Sequence, residues 1–117
     1  MSAPQTYKIE LPLDRRRMER IEKEAPELKQ YIKEAFGGLL KLLEVEVTAE
    51  QWKKIQEDFP VARTTPHGTI EQLPKAFKEA LFDAVVRLKK LDPSVIDEVY
   101  KNIEEIKKKA YEEPLFK

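Results

Sequence analysis

The stretch "ELKQYIKEAFGGLLKLLE", residues 27–44, carries the densest apolar pattern of the chain, and its conformation decides the fold class. Its apolar residues recur at helical spacing on both sides of the pair Gly37-Gly38. Two glycines cost a helix about 2 kcal/mol relative to alanine, so they either break it or allow another backbone to approach closely. Because the apolar spacing continues through them, we predict a helix with a bend. Its apolar residues are Leu28, Tyr31, Ile32, Ala35, Phe36, Leu39, Leu40, Leu42 and Leu43.

Helix-start signals recur on both sides of this stretch. The side chain of an Asp or Thr accepts hydrogen bonds from the free N–H groups of a helix start, and proline fits the first helical turn. Thr48 followed by Gln51 has the spacing of a capping box, which predicts a helix that is closed by Pro60. The predicted helix starts are at Asp14, Thr48, Pro74 and Asp92.

The N-terminal segment has a different pattern. In "TYKIELPL", residues 6–13, apolar and polar residues alternate, as in a half-buried strand or in an extended arm that lies across helices. Pro12 cannot donate a hydrogen bond to a neighbouring strand, so a strand here would lie at an edge or end at this point. Residues 1–5 are expected to form a disordered tail.

Together these patterns predict an all-α fold. We expect a single helical domain over residues 1–117, a compact bundle of four to five helices with a short extended N-terminal segment. A chain of 117 residues fits one domain. The predicted core consists of Ile32, Phe36, Leu40, Ile55, Phe77, Leu81, Val85, Leu88, Val99, Ile103 and Ile106.

The composition argues against several classes of function. The chain has no cysteine and one histidine, so we expect neither a metal nor a cofactor. No apolar run approaches the roughly 20 residues that span a bilayer, which favours a soluble, cytoplasmic protein without membrane contact. The 22 Lys and Arg residues balance the 22 Asp and Glu residues, which argues against general coating by nucleic acid. High Lys and Glu content is typical of thermostable proteins and also of idealised engineered ones.

We find no catalytic constellation in the sequence. Its serines, Ser2 and Ser94, lie in an expected tail and in an expected first helical turn, outside any nucleophile-elbow pattern. The segment "FGGLL" lacks the lysine and the spacing of a phosphate-binding loop. We therefore expect a protein that is not an enzyme.

The loop over residues 61–69 is the first candidate site. It groups Arg63, Thr65 and His67 in a segment that prolines hold semi-rigid, and such groups can bind an anion or a small ligand. The alternative is ordinary turn chemistry at Pro66-His67-Gly68, with threonines that bind neighbouring main-chain groups.

A basic cluster in "DRRRMER", residues 14–20, is the second candidate. Arginines there, together with Lys8, could contact the phosphates of a nucleic acid. The alternative is a solvated helix face whose arginines pair with the interleaved acidic residues. The arginines concerned are Arg15, Arg16, Arg17 and Arg20.

One part of the chain resembles a known family. The strand pattern "YKIELPL", the helix through Met18 and Ile21, and the segment "YIKEAF" are together similar to the start of a ribbon–helix–helix DNA-binding protein. The resemblance covers about residues 6–40. It implies a dimer in which one strand from each copy enters the major groove, with Lys8 and Glu10 towards the bases. The chain departs from the family at "KEAPEL", which is acidic where the family has a polar turn, often with glycine.

The function that these observations favour is a non-catalytic helical interaction or regulatory module. The segments "LLKLL" and "ALFDAVV" place apolar residues on more than one helical face, which predicts protein–protein contacts, with a homodimer as one form. Two alternatives stay open: a dimeric DNA-binding regulator using residues 7–20, and a small-ligand or anion-binding domain using the loop 61–69. The predicted interface residues are Trp52, Phe59, Leu39 and Leu43, and for Trp52 burial in the core is the favoured alternative.

Overall fold

The computed structural model describes residues 6–112, with side chains as far as Lys109. These residues form four strands and four longer helices, and two short 3-10 turns cover Pro26–Tyr31 and Phe36–Gly38. The predicted tail at residues 1–5 lies outside the described residues. The elements are β1 (Thr6–Pro12), α1 (Arg15–Glu24), β2 (Ile32–Ala35), β3 (Leu40–Thr48), α2 (Ala49–Asp58), β4 (Thr69–Ile70), α3 (Lys75–Leu88) and α4 (Ser94–Glu112).

The strands form one mixed four-stranded sheet in the order β2-β3-β1-β4. Strand β3 is antiparallel to both of its neighbours, with Leu43 opposite Leu11 of β1 and Ile32 of β2. Strand β4 runs parallel to β1. The chain is therefore an α/β protein, and the predicted all-α helical bundle is wrong.

The decisive stretch 27–44 is a β-hairpin, because its glycines form a turn. Gly37 and Gly38 have φ angles of 66° and 91°, a left-handed conformation that glycine adopts without strain. The following "LLKLLEVEV" alternates as a strand, with Val45 and Val47 on the buried face. β-Branched residues favour a strand, and this preference outweighs the helical spacing of the leucines.

The hydrophobic core lies between one face of the sheet and the helices. Alternate residues of β1 and β3, including Ile9, Leu11 and Val45, are buried against α2, α3 and α4. This arrangement is a two-layer α/β domain. The other face of the sheet carries charged residues at its centre and Leu40 and Leu42 towards the turn between β2 and β3. The predicted core residues Ile55, Phe77, Leu81, Val85 and Val99 are buried as expected, whereas Phe36, Leu88 and Ile106 are exposed.

The helix starts follow the predicted capping signals. The carboxylate of Asp14 accepts a hydrogen bond from the N–H of Arg17 at 2.8 Å, and α1 begins at Arg15, directly after Asp14. Both bonds of the Thr48–Gln51 capping box are present at 3.1 Å. Because caps act within three or four residues, they can be recognised in the sequence without knowledge of the tertiary fold.

The fold also differs from what the ribbon–helix–helix resemblance implies. In that family the strand pairs with a second copy, whereas β1 here has β3 on one side and β4 on the other, within its own chain. The segment "YIKEAF" is strand β2 and the start of its turn rather than a second helix. Strand β1 is therefore an inner strand and is not free to pair with a partner.

Candidate functional site

The turn between β2 and β3 displays two large apolar side chains. We call residues 36–39 the hairpin tip. The side chain of Phe36 is 77% exposed and that of Leu39 is 91% exposed. Phe36 also has a φ of 53°, a left-handed conformation that costs a non-glycine residue about 1–2 kcal/mol. The tip therefore combines local backbone strain with exposed apolar surface.

Rigid elements hold the hairpin tip in place. Strands β2 and β3 pair from Ala35 opposite Leu40, beside the tip, to Ile32 opposite Leu43. Within the turn, the N–H of Leu39 bonds to the carbonyl of Phe36 at 3.3 Å. Because the backbone of this turn is already ordered, a partner that covers the tip does not have to order the backbone on binding. The geometry suits a contact surface better than a chemical site.

The face of the sheet away from the helices carries a compact ion-pair network, which we call the charged face. Glu44 lies between two ammonium groups, 3.3 Å from Lys8 Nζ and 2.8 Å from Lys33 Nζ. Lys33 also approaches Glu10 at 3.7 Å. Glu10 and Glu44 are opposite each other on β1 and β3, so Lys33 offsets the repulsion between two carboxylates.

This network changes the acidity of its members. Burial alone would raise the pKa of Glu44, but hydrogen bonds from Lys33 and Lys8 outweigh it and hold the pKa below its ordinary value. In return, the hydrogen bond and the negative charge of Glu44 raise the pKa of Lys33. Both shifts favour the charged forms of Glu44 and Lys33 at neutral pH.

Replacing the central carboxylate should reveal the network as a pH-dependent stabiliser. Glu44→Gln is expected to lower the free energy of unfolding at neutral pH by about 1 kcal/mol, the scale of a partly exposed ion-pair network. The folded pKa of Glu44 lies below its unfolded value of about 4.3, so the stabilisation is fully present above that value. It is lost as the pH falls through the folded pKa.

Urea unfolding of both proteins at a series of pH values measures this difference. We expect it to be constant near neutrality and to shrink below about pH 4. The matched control is Glu46→Gln, which changes an exposed glutamate of the same strand that forms no ion pair within the described residues. If the stability difference between the wild type and Glu44→Gln grew on acidification, that result would contradict the lowered pKa of Glu44.

The loop 61–69 is built as a turn. The hydroxyl of Thr65 accepts from the N–H groups of His67 and Thr69 at 3.3 and 3.1 Å, and Gly68 N–H bonds to the carbonyl of Thr65 at 2.9 Å. The side chains of Arg63 and His67 are exposed. The hydroxyl of Thr65 is therefore engaged in the turn, whereas the other two predicted ligand-binding side chains project from it into solvent.

The arginines of α1 pack over an aromatic ring. The guanidinium groups of Arg17 and Arg20 lie 5.4 and 5.6 Å from the centre of the Phe82 ring. Arg20 also pairs with Asp83 and, at 2.9 Å, with Glu24. The hydrogen bond with Asp83 raises the pKa of Arg20 despite the opposing effect of burial. Arg17 and Arg20, two of the predicted nucleic-acid contacts, therefore cover the ring of Phe82.

Of the remaining predicted phosphate contacts, Arg16 lines one cleft with Arg17 and Arg20, in which three carboxylates also lie: Asp14, Glu79 and Asp83. Arg15 lies 3.5 Å from Glu19, and Arg16 is exposed. Lys8 belongs to the charged face, where it pairs with Glu44. The structure thus does not bring Lys8 and the arginines of α1 together into one basic surface.

The four predicted interface residues have different environments. Leu39 lies at the hairpin tip, whereas Trp52 and Leu43 are buried in the core. Phe59 is half-buried, with its ring centre 5.6 Å from that of Phe77. Sequence reasoning assigned Phe36 to the core and so missed the second residue of the tip. The Gly37-Gly38 pair directly after it was the available signal, because glycine pairs favour turns.

The described residues contain few other chemical features. In residues 6–112 no three His, Asp or Glu side chains converge in a way that could hold a metal ion. Over the same residues, no helix is long and apolar enough to cross a membrane.

The fold and its exposed features define a small two-layer α/β domain with an apolar hairpin tip and a charged sheet face. The chain belongs to DUF6955, a family of unknown function, whose model matches residues 7–100. This match runs from β1 into α4 and includes both the hairpin and the charged face. Neither the curated proteins nor the solved structures contain a significant match to the chain.

Proposed function

We propose that the protein is a non-catalytic interaction module that binds a protein partner through the hairpin tip. The observation that supports this proposal is the strained, exposed Phe36 beside the exposed Leu39. Neither side chain stabilises the core, and the conformation of Phe36 lowers the stability of the fold. Strain of this kind persists where the surrounding structure imposes it, and it clusters at functional sites.

The hairpin tip can supply only part of the binding free energy. Burying a Phe or Leu side chain contributes about 1.5–3 kcal/mol, whereas association costs at least about 4 kcal/mol of lost freedom. Further contacts must therefore come from the neighbourhood of the tip. Strand β2 is the edge of the sheet and lies directly beside it, so its free main-chain groups are available to the same partner.

Strand pairing between two copies of β2 is disfavoured by charge. Antiparallel pairing about its centre places Lys33 opposite Lys33 or Glu34 opposite Glu34 of the second copy, and like charges directly opposite are destabilising. A homodimer would therefore have to form through the side chains of the tip rather than by joining the two sheets.

Site-specific photo-crosslinking in the source cells tests the proposal. A photoreactive amino acid at position 36 should give crosslinked products, and these should disappear on Leu39→Ser. The matched control position is Val61, whose side chain is also well exposed but lies far along the chain from the tip. Equal crosslinking from positions 36 and 61 would contradict the proposal.

Light scattering over a concentration series decides whether the partner is a second copy. If it is, the mass should rise from 13.7 kDa towards twice that value, and the double variant Phe36→Ser/Leu39→Ser should stay monomeric. Ile106→Ser, which removes an exposed apolar residue of α4, should behave as the wild type. A monomer at every concentration assigns the crosslinks to a different protein.

A further inference from the structure

Strand β3 is longer than the strand that covers its outer side. It spans nine residues, but only Leu40–Leu43 pair with β2. The remainder, from Glu44 to Thr48, pairs with β1 alone. The chain leaves the sheet here because the 3-10 turn Pro26–Tyr31 precedes β2. The result is a gap at the edge of the sheet beside the second half of β3.

The main-chain groups that face this gap can be assigned. The N–H of Leu13 bonds to the carbonyl of Lys41 at 2.8 Å, so odd-numbered residues of β3 point towards β1. Successive residues of an antiparallel strand point to opposite sides, so Glu44 and Glu46 direct their N–H and C=O groups away from β1. The pairing of Ile32 with Leu43 engages the N–H of Glu44 with the carbonyl of Tyr31, at the end of the ladder with β2. Within residues 6–112 the C=O of Glu44 and both main-chain groups of Glu46 face the gap without a main-chain partner.

A cleft of about 360 Å³ occupies the gap. The cleft is lined by the edge of β3 and by residues of the chain before and within β2 and after α3: Glu44, Glu46, Gln30, Tyr31, Ile32, Lys33 and Leu91. Apolar side chains beside the free main-chain groups of Glu46 match the requirements of an added strand. A segment of three or four extended residues would span this edge of β3, since each residue of a strand advances about 3.3 Å.

The charge of the cleft indicates what can bind there. If two copies paired through this edge, Glu44 and Glu46 of one copy would lie opposite the same glutamates of the other copy, and like charges directly opposite are destabilising. A Lys or Arg opposite Glu46 would instead form an ion pair with a carboxylate that has none within the described residues. The exposed ring of Tyr31 can receive a second cationic group.

We propose that this cleft binds an extended basic segment of a partner protein, which adds as a strand to the edge of β3 at Glu44 and Glu46. The residue of the segment opposite Glu46 would be basic, because Glu44 is already paired with Lys8 and Lys33, and its neighbours in the segment would be apolar towards Ile32 and Leu91. The site is separate from the hairpin tip and does not depend on the function proposed for it.

A synthetic peptide of seven alternating lysine and valine residues, with both ends blocked, is a direct probe. We expect the amide signals of Glu44 and Glu46 to shift on titration in nuclear magnetic resonance spectra, and the hydrogen exchange of the Glu46 amide to slow. Methylation of alternate peptide nitrogens should weaken binding at least tenfold, because it removes the donors of the added strand. Binding should also weaken as salt increases.

Two variants of one residue separate charge from main-chain pairing. Glu46→Lys should weaken peptide binding at least fivefold through repulsion. Glu46→Pro should abolish it, because proline removes the N–H that faces the gap, and strand edges tolerate proline with that group outward. Amide spectra away from β3 that match the wild type would show that the proline variant is folded.

The control variant is Glu34→Lys, which reverses an exposed glutamate of β2 outside the cleft walls. Its peptide affinity should be close to that of the wild type. Equal weakening by Glu34→Lys would place the peptide on β2 and overturn the proposal. Two other results would also overturn it: unchanged Glu44 and Glu46 amides at millimolar peptide, or equal binding of a glutamate–valine peptide.

Discussion

Phe77→Ala is expected to lower the free energy of unfolding by about 4 kcal/mol, a large share of the stability of a domain of this size. The side chain of Phe77, on α3, is 1% exposed. Its ring centre lies 5.6 Å from that of Phe59 and 5.7 Å from that of Tyr100, both close to edge-on. Edge-on aromatic pairs add about 0.5–1.5 kcal/mol each beyond the area that they bury.

The size of this stability loss follows from the elements that carry the two neighbouring rings. Phe59 follows the end of α2 and Tyr100 lies on α4, so one ring joins three helices. Alanine would remove the transfer energy of the ring and leave a cavity that three separate elements cannot close together. Phe77→Leu should retain most of the volume and cost less than half as much.

Chemical denaturation with a circular dichroism signal measures both losses. The matched control is Phe36→Ala, which deletes the same side chain at the exposed hairpin tip. It should change the free energy of unfolding by about 0.5 kcal/mol at most, as is usual for surface substitutions. Similar losses at positions 36 and 77 would mean that both rings are buried, contrary to the structure.

The sequence predicted the helices better than the sheet for a physical reason. Caps such as Asp14 at α1 and Thr48 at α2 depend on contacts within one helical turn, and both are present as expected. Strand pairing instead depends on distant partners. Leu43 pairs with Leu11, far earlier in the chain, and nothing near Leu43 in the sequence identifies that partner. A dense run of leucines satisfies the periods of helix and strand equally well.

The candidate sites were predictable only in part. Leu39 was predicted as an interface residue, and its exposure supports the proposal made for the hairpin tip. Phe36 was placed in the core because a helix through Gly37-Gly38 would have turned it inward. The cleft beside Glu44 and Glu46 depends on where β2 stops relative to β3, which is a property of the folded sheet rather than of any local pattern.

Leu43→Ala should lower the free energy of unfolding by about 3 kcal/mol, whereas Leu39→Ala should change it by about 0.5 kcal/mol or less. Leu43 is 0% exposed and has Leu11 and Ile32 as its cross-strand neighbours. Leu39 is 91% exposed. Denaturation of the two variants under the same conditions gives the comparison directly.

This pair of substitutions separates the two conformations of residues 27–44. In a helix, residues four apart lie on the same face, so truncation of Leu39 and of Leu43 would cost similar amounts. In the hairpin, one residue belongs to the turn and the other to the core face of β3. Equal losses would therefore restore the helix through Gly37-Gly38 and remove both the hairpin tip and the cleft. A large loss of stability for Leu43→Ala with a small one for Leu39→Ala would instead support strand β3, on which both proposals depend.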